Sequence, residues 1–129
     1  MFLGSFDAAV IYMCQAVRAA VKQSGRTVTT VSKMKMQKMS DQELERVVRE
    51  LIEKQEGRCK LTGLRFQIGP EANEDYAPSL DRIDSDKHYE HGNLQVVCRF
   101  VNFWKGDRDN DVFKALLAAL RNGGPNNLN

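Results

Sequence analysis

The sequence has few cysteines and no long hydrophobic run. Its three cysteines, Cys14, Cys59 and Cys98, are an odd number without the spacing of a secreted scaffold, which excludes a disulfide framework. No apolar run reaches the roughly 18 residues of a membrane span, and residues 8–14 lack the basic flank and cleavage site of a signal peptide. The sequence therefore predicts a cytoplasmic protein with no membrane partner.

Acidic residues are scarce in the first part of the chain. Residues 1–40 carry six Lys and Arg against the single acid Asp7, whereas residues 41–129 carry thirteen against sixteen acids. A basic front half joined to an acidic back half would suit an anionic partner together with a cation site. An uneven solvated surface explains the same distribution, so charge alone leaves both interpretations open.

Two helices are predicted in the first half. One begins after Ser5, runs to about Gln23 and is expected to stop at Gly25. The second opens with a capping box at residues 40–43, and Gly57 ends it. The apolar face of the first helix is predicted to contain Ala9, Val10, Met13, Val17 and Val21; that of the second contains Leu44, Val47, Val48, Leu51 and Ile52.

The second half of the sequence predicts a β-hairpin between helices. Ser79–Asp84 and Leu94–Cys98 are predicted strands, and the pattern turns helical from Arg99 to about Gly106. Asp109 or Asp111 caps a last helix, whose apolar face is predicted to contain Val112, Leu116 and Leu120.

Three segments follow from these elements. Residues 1–39 form an N-terminal helix and a basic arm, residues 40–123 form the main domain, and residues 124–129 form a disordered tail. The arm carries Lys33, Lys35 and Lys38 without an acid, which makes these lysines candidates for contacts with nucleic-acid phosphates.

The order of a helix, the knuckle GRCKLTGL, then SLDRID, a loop, GNLQVVC and VNFWKGD resembles the HNH or ββα-metal nucleases. The resemblance covers roughly residues 44–108. It implies an α+β fold whose ββα-metal core is a two-stranded antiparallel hairpin with flanking helices. It also implies one divalent metal ion, with Mg²⁺ or Mn²⁺ expected from oxygen ligands, and DNA as the partner.

The resemblance assigns roles to individual residues. Asp81 matches the metal-binding carboxylate and Asn102 the metal ligand in the helix. Asn93 matches the middle asparagine, which holds the loop in place. Lys105 matches the lysine that follows the helical ligand and is expected to contact nucleic acid. Without the resemblance, Asp81 would be interpreted as one partner of a strand-end ion pair with Arg82 or Lys87.

Arg82 is the departure from the family pattern, because it stands where the family has its histidine base. A guanidinium cannot accept a proton at physiological pH, but it can hold a phosphate through two parallel hydrogen bonds. The general base must then be another group or a metal-bound water. Both histidines, His88 and His91, lie in the loop between the strands, and His88 is the preferred candidate.

The family's zinc knuckle is also incomplete. Cys59 and Cys98 each stand for one half of a cysteine pair, while Thr62 and Val101 occupy the partner positions. Two thiolates do not complete a tetrahedral site, so no structural zinc is expected. The two cysteines are predicted to be small buried side chains that lie near each other.

Together these features predict a metal-dependent DNA endonuclease or nickase with Asp81, Arg82, His88, Asn93 and Asn102 as catalytic residues. Two alternatives stay open. One is an HNH-fold module that lost catalysis and only binds nucleic acid; the other is an interaction domain in which residues 41–56 dock a partner protein. Oligomeric state and membership of a larger assembly are left open.

Overall fold

A computed structural model of the protein describes residues 6–26 and 37–123. Its elements, in chain order, are α1 (Phe6–Arg26), α2 (Asp41–Lys54), a short 3₁₀ turn (Glu74–Tyr76), β1 (Pro78–Arg82), β2 (Leu94–Cys98), α3 (Arg99–Lys105) and α4 (Asn110–Arg121). The predicted α+β class is confirmed. No helix in the described ranges is long and apolar enough to cross a membrane.

Helix α1 presents its predicted apolar face to the core. Val10, Met13 and Val17 are buried there, in one hydrophobic cluster with residues of α2 and the hairpin. The expected stop at Gly25 is wrong, because α1 continues to Arg26. An interior glycine costs a helix only about 1 kcal/mol, which does not end a helix whose apolar face is already packed.

Helix α2 begins as its capping sequence predicts. The Ser40 hydroxyl accepts a hydrogen bond from the Glu43 backbone N–H at 3.1 Å, and the apolar stripe is buried at Leu44, Val48 and Ile52. The regular helix ends at Lys54. Gly57 then turns the chain away with a φ of 73°, a conformation that favours glycine.

The hairpin pairs β1 and β2 in antiparallel register, with Asp81 opposite Gln95 and Pro78 opposite Cys98. Strand β2 has the predicted bounds. Strand β1 ends at Arg82 rather than at the predicted Asp84, because the side chain of Asn93 takes up the Asp84 backbone N–H at 2.8 Å. That bond belongs to the loop and not to a strand ladder.

Helix α3 follows β2 without a linker, and Asp109 caps α4 through the Val112 N–H at 2.9 Å. The predicted buried face of α4 is wrong: its core contacts come from Phe113 and Leu117, and the Phe113 ring meets Trp104 of α3 edge-on at 5.0 Å. The predicted face is exposed at Val112, Leu116 and Leu120.

Candidate functional site

The carboxylate of Asp81 lies in the interior between the hairpin and α3. Only 6% of the residue is exposed. Its Oδ2 atom accepts hydrogen bonds from Lys105 Nζ and from Gln95 Nε2, each at 2.8 Å. The ion-pair partner described for Asp81 is thus Lys105 of α3, rather than Arg82 or Lys87.

Lys105 is fully buried, with 0% of its surface exposed. Besides its ion pair with Asp81, its ammonium donates to the Arg82 backbone carbonyl at 2.8 Å. A buried ammonium needs such partners because desolvation is costly. In this conformation Lys105 presents no charge to a nucleic acid, and its predicted contact with phosphate would require the side chain to leave this pocket.

Gln95 extends the polar cluster from the hairpin to α4. Its Nε2 donates to Asn110 Oδ1 at 2.9 Å, and Asn110 Nδ2 donates back to Gln95 Oε1 at 3.1 Å. Sequence reasoning did not single out either residue. The available signal was one amide inside the otherwise apolar strand LQVVC, since a buried polar side chain needs a partner.

Asn102 lies half-buried on α3, beside the other end of β1. Its side-chain NH₂ donates to Ser79 Oγ at 2.7 Å and to the Leu80 carbonyl at 3.3 Å. Asn102 and Ser79 both line a cavity of about 650 Å³ between α1 and the segment 67–80. Asp81 is not part of that lining.

The contacts bring Asp81 and Asn102 to one helix–strand interface. Ser79 and Asp81 alternate on one face of β1, and Asn102 and Lys105 are one helical turn apart on α3. Because Asn102 contacts Ser79 and Lys105 contacts Asp81, the two predicted metal ligands occupy neighbouring positions along this interface.

Arg82 holds the loop between the strands. It is buried, and its Nη1 donates to the Ser85 carbonyl at 2.7 Å and to the Lys87 carbonyl at 2.8 Å. The guanidinium carbon lies 5.5 Å from the centre of the Tyr89 ring, within cation–π range. These contacts stabilise the loop. The predicted grip on a phosphate would require the guanidinium to exchange its carbonyl partners.

Asn93 fastens the other side of the same loop. Its Oδ1 accepts from the Asp84 N–H at 2.8 Å, while its Nδ2 donates to the Asp84 carbonyl at 3.1 Å and the His88 carbonyl at 2.9 Å. The residue is buried. The sequence interpretation of Asn93 as the residue that ties the loop agrees with these three bonds.

The two histidines have different surroundings. His88 is half-buried, and its backbone N–H donates to Glu90 Oε1 at 3.1 Å. His91 is exposed, and its Nε2 lies 3.0 Å from Glu43 Oε2 on α2. The predicted role of His88 as a base stays a prediction.

Basic side chains occur at two places near the hairpin. Lys38 donates its backbone N–H to the Tyr89 carbonyl at 2.8 Å, which holds the end of the basic arm beside the loop. Lys33 and Lys35 lie outside the described residues. A second cavity, of about 450 Å³, has Lys54, Arg58, Cys59 and Lys60 among its lining residues.

The cysteine pair is arranged as the sequence predicts. Cys59 and Cys98 are buried, and their thiols are hydrogen-bonded to each other. In the described ranges no group of three or more His, Cys, Asp or Glu residues is placed to hold a metal ion. Comparisons of the chain with protein-family models, with curated proteins and with solved structures found no match.

Proposed function

We propose that the protein is a metal-dependent DNA endonuclease or nickase built on a ββα-metal plan. The observation that supports the proposal is that α3 follows the β1–β2 hairpin directly and packs across it. Through that packing, Asp81 and Asn102 reach one interface, and Asn93 fixes the loop beside it. These are the positions that the resemblance predicts for metal binding and for loop support.

Two side-chain oxygen atoms of this interface are candidate ligands for a divalent cation. The donors described for Asp81 both bond Oδ2, and Asn102 bonds its neighbours through its NH₂ group. Asp81 Oδ1 and Asn102 Oδ1, the side-chain amide oxygen, are therefore the atoms proposed to hold the ion. One carboxylate with neutral oxygens and water is a sufficient set for Mg²⁺.

A bound divalent ion would supply charge compensation for the phosphate and the leaving oxygen. The chain itself would position the reacting groups. Lys105 and Gln95 orient the Asp81 carboxylate, as supporting residues do around metal ligands. A guanidinium does not accept a proton at physiological pH, so the imidazole of His88 is the preferred candidate for the proton acceptor on the loop.

The first test is nicking of supercoiled plasmid with Mg²⁺ or Mn²⁺, with EDTA as the blank. Asn102→Leu removes the proposed oxygen ligand and leaves the Asp81–Lys105 pair in place. It should lower the rate by more than about a hundredfold, since losing even a supporting residue costs about 10–100-fold. Asn102→Asp retains an oxygen at that position and should keep activity. Equal nicking by all three proteins would refute the metal assignment.

Two further variants refine that assay. His88→Ala should slow nicking by about a hundredfold or more if His88 is the general base, whereas an unchanged rate would remove it from the mechanism. Asp111→Asn alters an exposed acid in the first turn of α4 and serves as the matched control. It should behave as the parent protein does.

A second candidate function is a module that binds nucleic acid without cleaving it. The observation that favours it is that Asp81 already carries a buried lysine partner, while Arg82 replaces the histidine base. Binding through the arm should weaken with salt, by about 0.9 in the slope of log affinity against log salt for each phosphate contact. Neutralising Lys33, Lys35 and Lys38 should flatten that slope.

The matched control for the arm neutralises three exposed cations elsewhere, Lys22, Lys114 and Arg121. An equal effect of both triple variants would assign the affinity to net charge rather than to the arm. Salt-dependent binding without nicking would support the second candidate. Absence of both nicking and binding would favour the interaction-domain interpretation.

A further inference from the structure

Cys59 and Cys98 are nucleophilic side chains that the proposed nuclease mechanism does not use. Cys59 lies in the knuckle after α2, and Cys98 is the last residue of β2. The knuckle is fixed to β2 by the Lys60 N–H, which donates to the Val96 carbonyl at 3.0 Å. Gln55 Nε2 reinforces the link through bonds of 2.8 Å to the carbonyls of Arg58 and Val96. Both cysteines are buried, and neither is in a disulfide.

The sulfur of Cys59 is surrounded by hydrogen-bond donors. It accepts from the thiol of Cys98, the hydroxyl of Thr62 and the backbone N–H groups of both residues. The Cys98 thiol is the strongest of these influences, and together they lower the pKa of Cys59 to about 5 despite its burial. The same contact raises the pKa of Cys98. Of the two sulfurs, Cys59 is therefore the one whose thiolate form the surrounding hydrogen bonds favour.

Cys59 is also the member of the pair that borders a cavity, although only 2% of the residue is exposed. It lines the cavity of about 450 Å³ that Lys54, Arg58 and Lys60 border, while Cys98 is not in that lining. Cys14, the third cysteine, is buried on α1, and burial raises its pKa to about 11. The chain therefore allows a comparison between a cysteine with a lowered pKa, Cys59, and one with a raised pKa, Cys14.

We propose that Cys59 and Cys98 form an oxidisable dithiol site, in which the Cys59 sulfur attacks hydrogen peroxide and the product is an intramolecular disulfide. The Cys59 thiolate attacks the nearer peroxide oxygen, the O–O bond breaks, and the leaving hydroxide takes up a proton to become water. The sulfur becomes a sulfenic acid. Cys98 then attacks that sulfur, forming the S–S bond and releasing a second water.

Each such event reduces one peroxide to two waters and oxidises two thiols to one disulfide. The bond would link the knuckle to the residue that immediately precedes α3. The site is independent of metal binding at Asp81 and Asn102, so its test does not depend on nuclease activity.

The experiment treats the reduced full-length protein with a small excess of hydrogen peroxide. Disulfide-linked peptides are then identified by mass spectrometry before and after reduction with dithiothreitol. We expect a reducible Cys59–Cys98 link to form while Cys14 stays a thiol. Cys98→Ser should instead accumulate a sulfenic acid on Cys59, detected as its dimedone adduct. Cys14→Ser is the matched control and should form the link at the parental rate.

Three results would overturn the proposal. The first is oxidation of Cys14 at a rate equal to or above that of Cys59. The second is a Cys59 sulfenic acid in the parent protein that never proceeds to the disulfide. The third is zinc that co-purifies in stoichiometric amount and protects both thiols until a chelator removes it. The parent protein alone decides each of these outcomes, so a variant that fails to fold does not obscure the result.

Discussion

The two ends of the β1–β2 hairpin bury polar groups in opposite ways. Near the loop end, Asp81 and Gln95 pair across the strands, and Lys105 supplies a full positive charge to the carboxylate. At the open end, the Cys59 sulfur accepts hydrogen bonds from Cys98 and from Thr62. The loop end contains an ion pair supported by amides, and the open end contains two thiols, one of which has its pKa lowered by its neighbours.

This difference follows from the cost of burying each kind of group. A buried charge is tolerated only with close partners, and among the described residues no buried side-chain nitrogen or oxygen lacks a hydrogen-bond partner. A thiol behaves as a small apolar group with a weak donor. The ionic end should therefore be stability-critical, whereas the thiol end should tolerate substitution and remain chemically reactive.

The largest difference in stability between the two ends is expected when one partner of the ion pair is removed. Asp81→Ala leaves the Lys105 amine in the interior without its carboxylate partner, and breaking a buried pair costs about 3–5 kcal/mol of unfolding free energy. Chemical denaturation of the purified variant measures that loss. The double variant Asp81→Leu/Lys105→Met replaces both charges with apolar groups and should recover most of the stability. Equal losses for the single and double variants would contradict the predicted coupling.

The thiol end is tested by the pH dependence of alkylation. A lowered pKa means that Cys59 is already a thiolate above about pH 5, so its rate should be flat between about pH 7 and pH 9. Cys14, with its pKa raised to about 11, should gain nearly tenfold in thiolate, and in rate, per pH unit over that range. Peptide mass spectrometry follows each residue separately. If the alkylation rates of Cys59 and Cys14 rose equally with pH, the two thiols would have similar pKa values and the prediction would be wrong.

The smallest effect is expected when the sulfur of Cys98 is removed. Cys98→Ala deletes a single buried atom, and we expect a loss of about 1 kcal/mol, near the centre of the range for point substitutions. The same denaturation measurement used for Asp81→Ala gives the comparison directly. A loss as large as that of Asp81→Ala would mean that the thiol pair is as stability-critical as the ionic network.

Local sequence patterns predicted the elements that local physics dominates. The capping oxygen of Ser40, the bounds of β2 and the αL glycine after α2 all follow from short-range signals. The end of β1 was missed because a distant amide, from Asn93, took the Asp84 backbone N–H. A strand pattern does not reveal such a competitor.

The candidate site, like the fold, was predicted from the sequence only in part. The sequence predicted site roles for four residues, Asp81, Asn93, Asn102 and Lys105. In the structure Asp81, Asn102 and Lys105 lie at one helix–strand interface. The sequence did not reveal that the partner of Asp81 would be Lys105, 24 residues away, or that Gln95 would connect the site to α4. Such pairs depend on how α3 and α4 cross the hairpin, which no local pattern specifies.

Helix α4 shows what the sequence determined and what it left to the tertiary structure. Its period of apolar residues and its Asp109 cap determined that a helix forms, because both are properties of neighbouring residues. The sequence, however, has two overlapping apolar stripes. Contact with Trp104 and the core determines which one is buried: Phe113 and Leu117 are buried, whereas Val112, Leu116 and Leu120 are exposed. Periodicity specifies that a helix has an apolar face; burial is decided by the surface on which it packs.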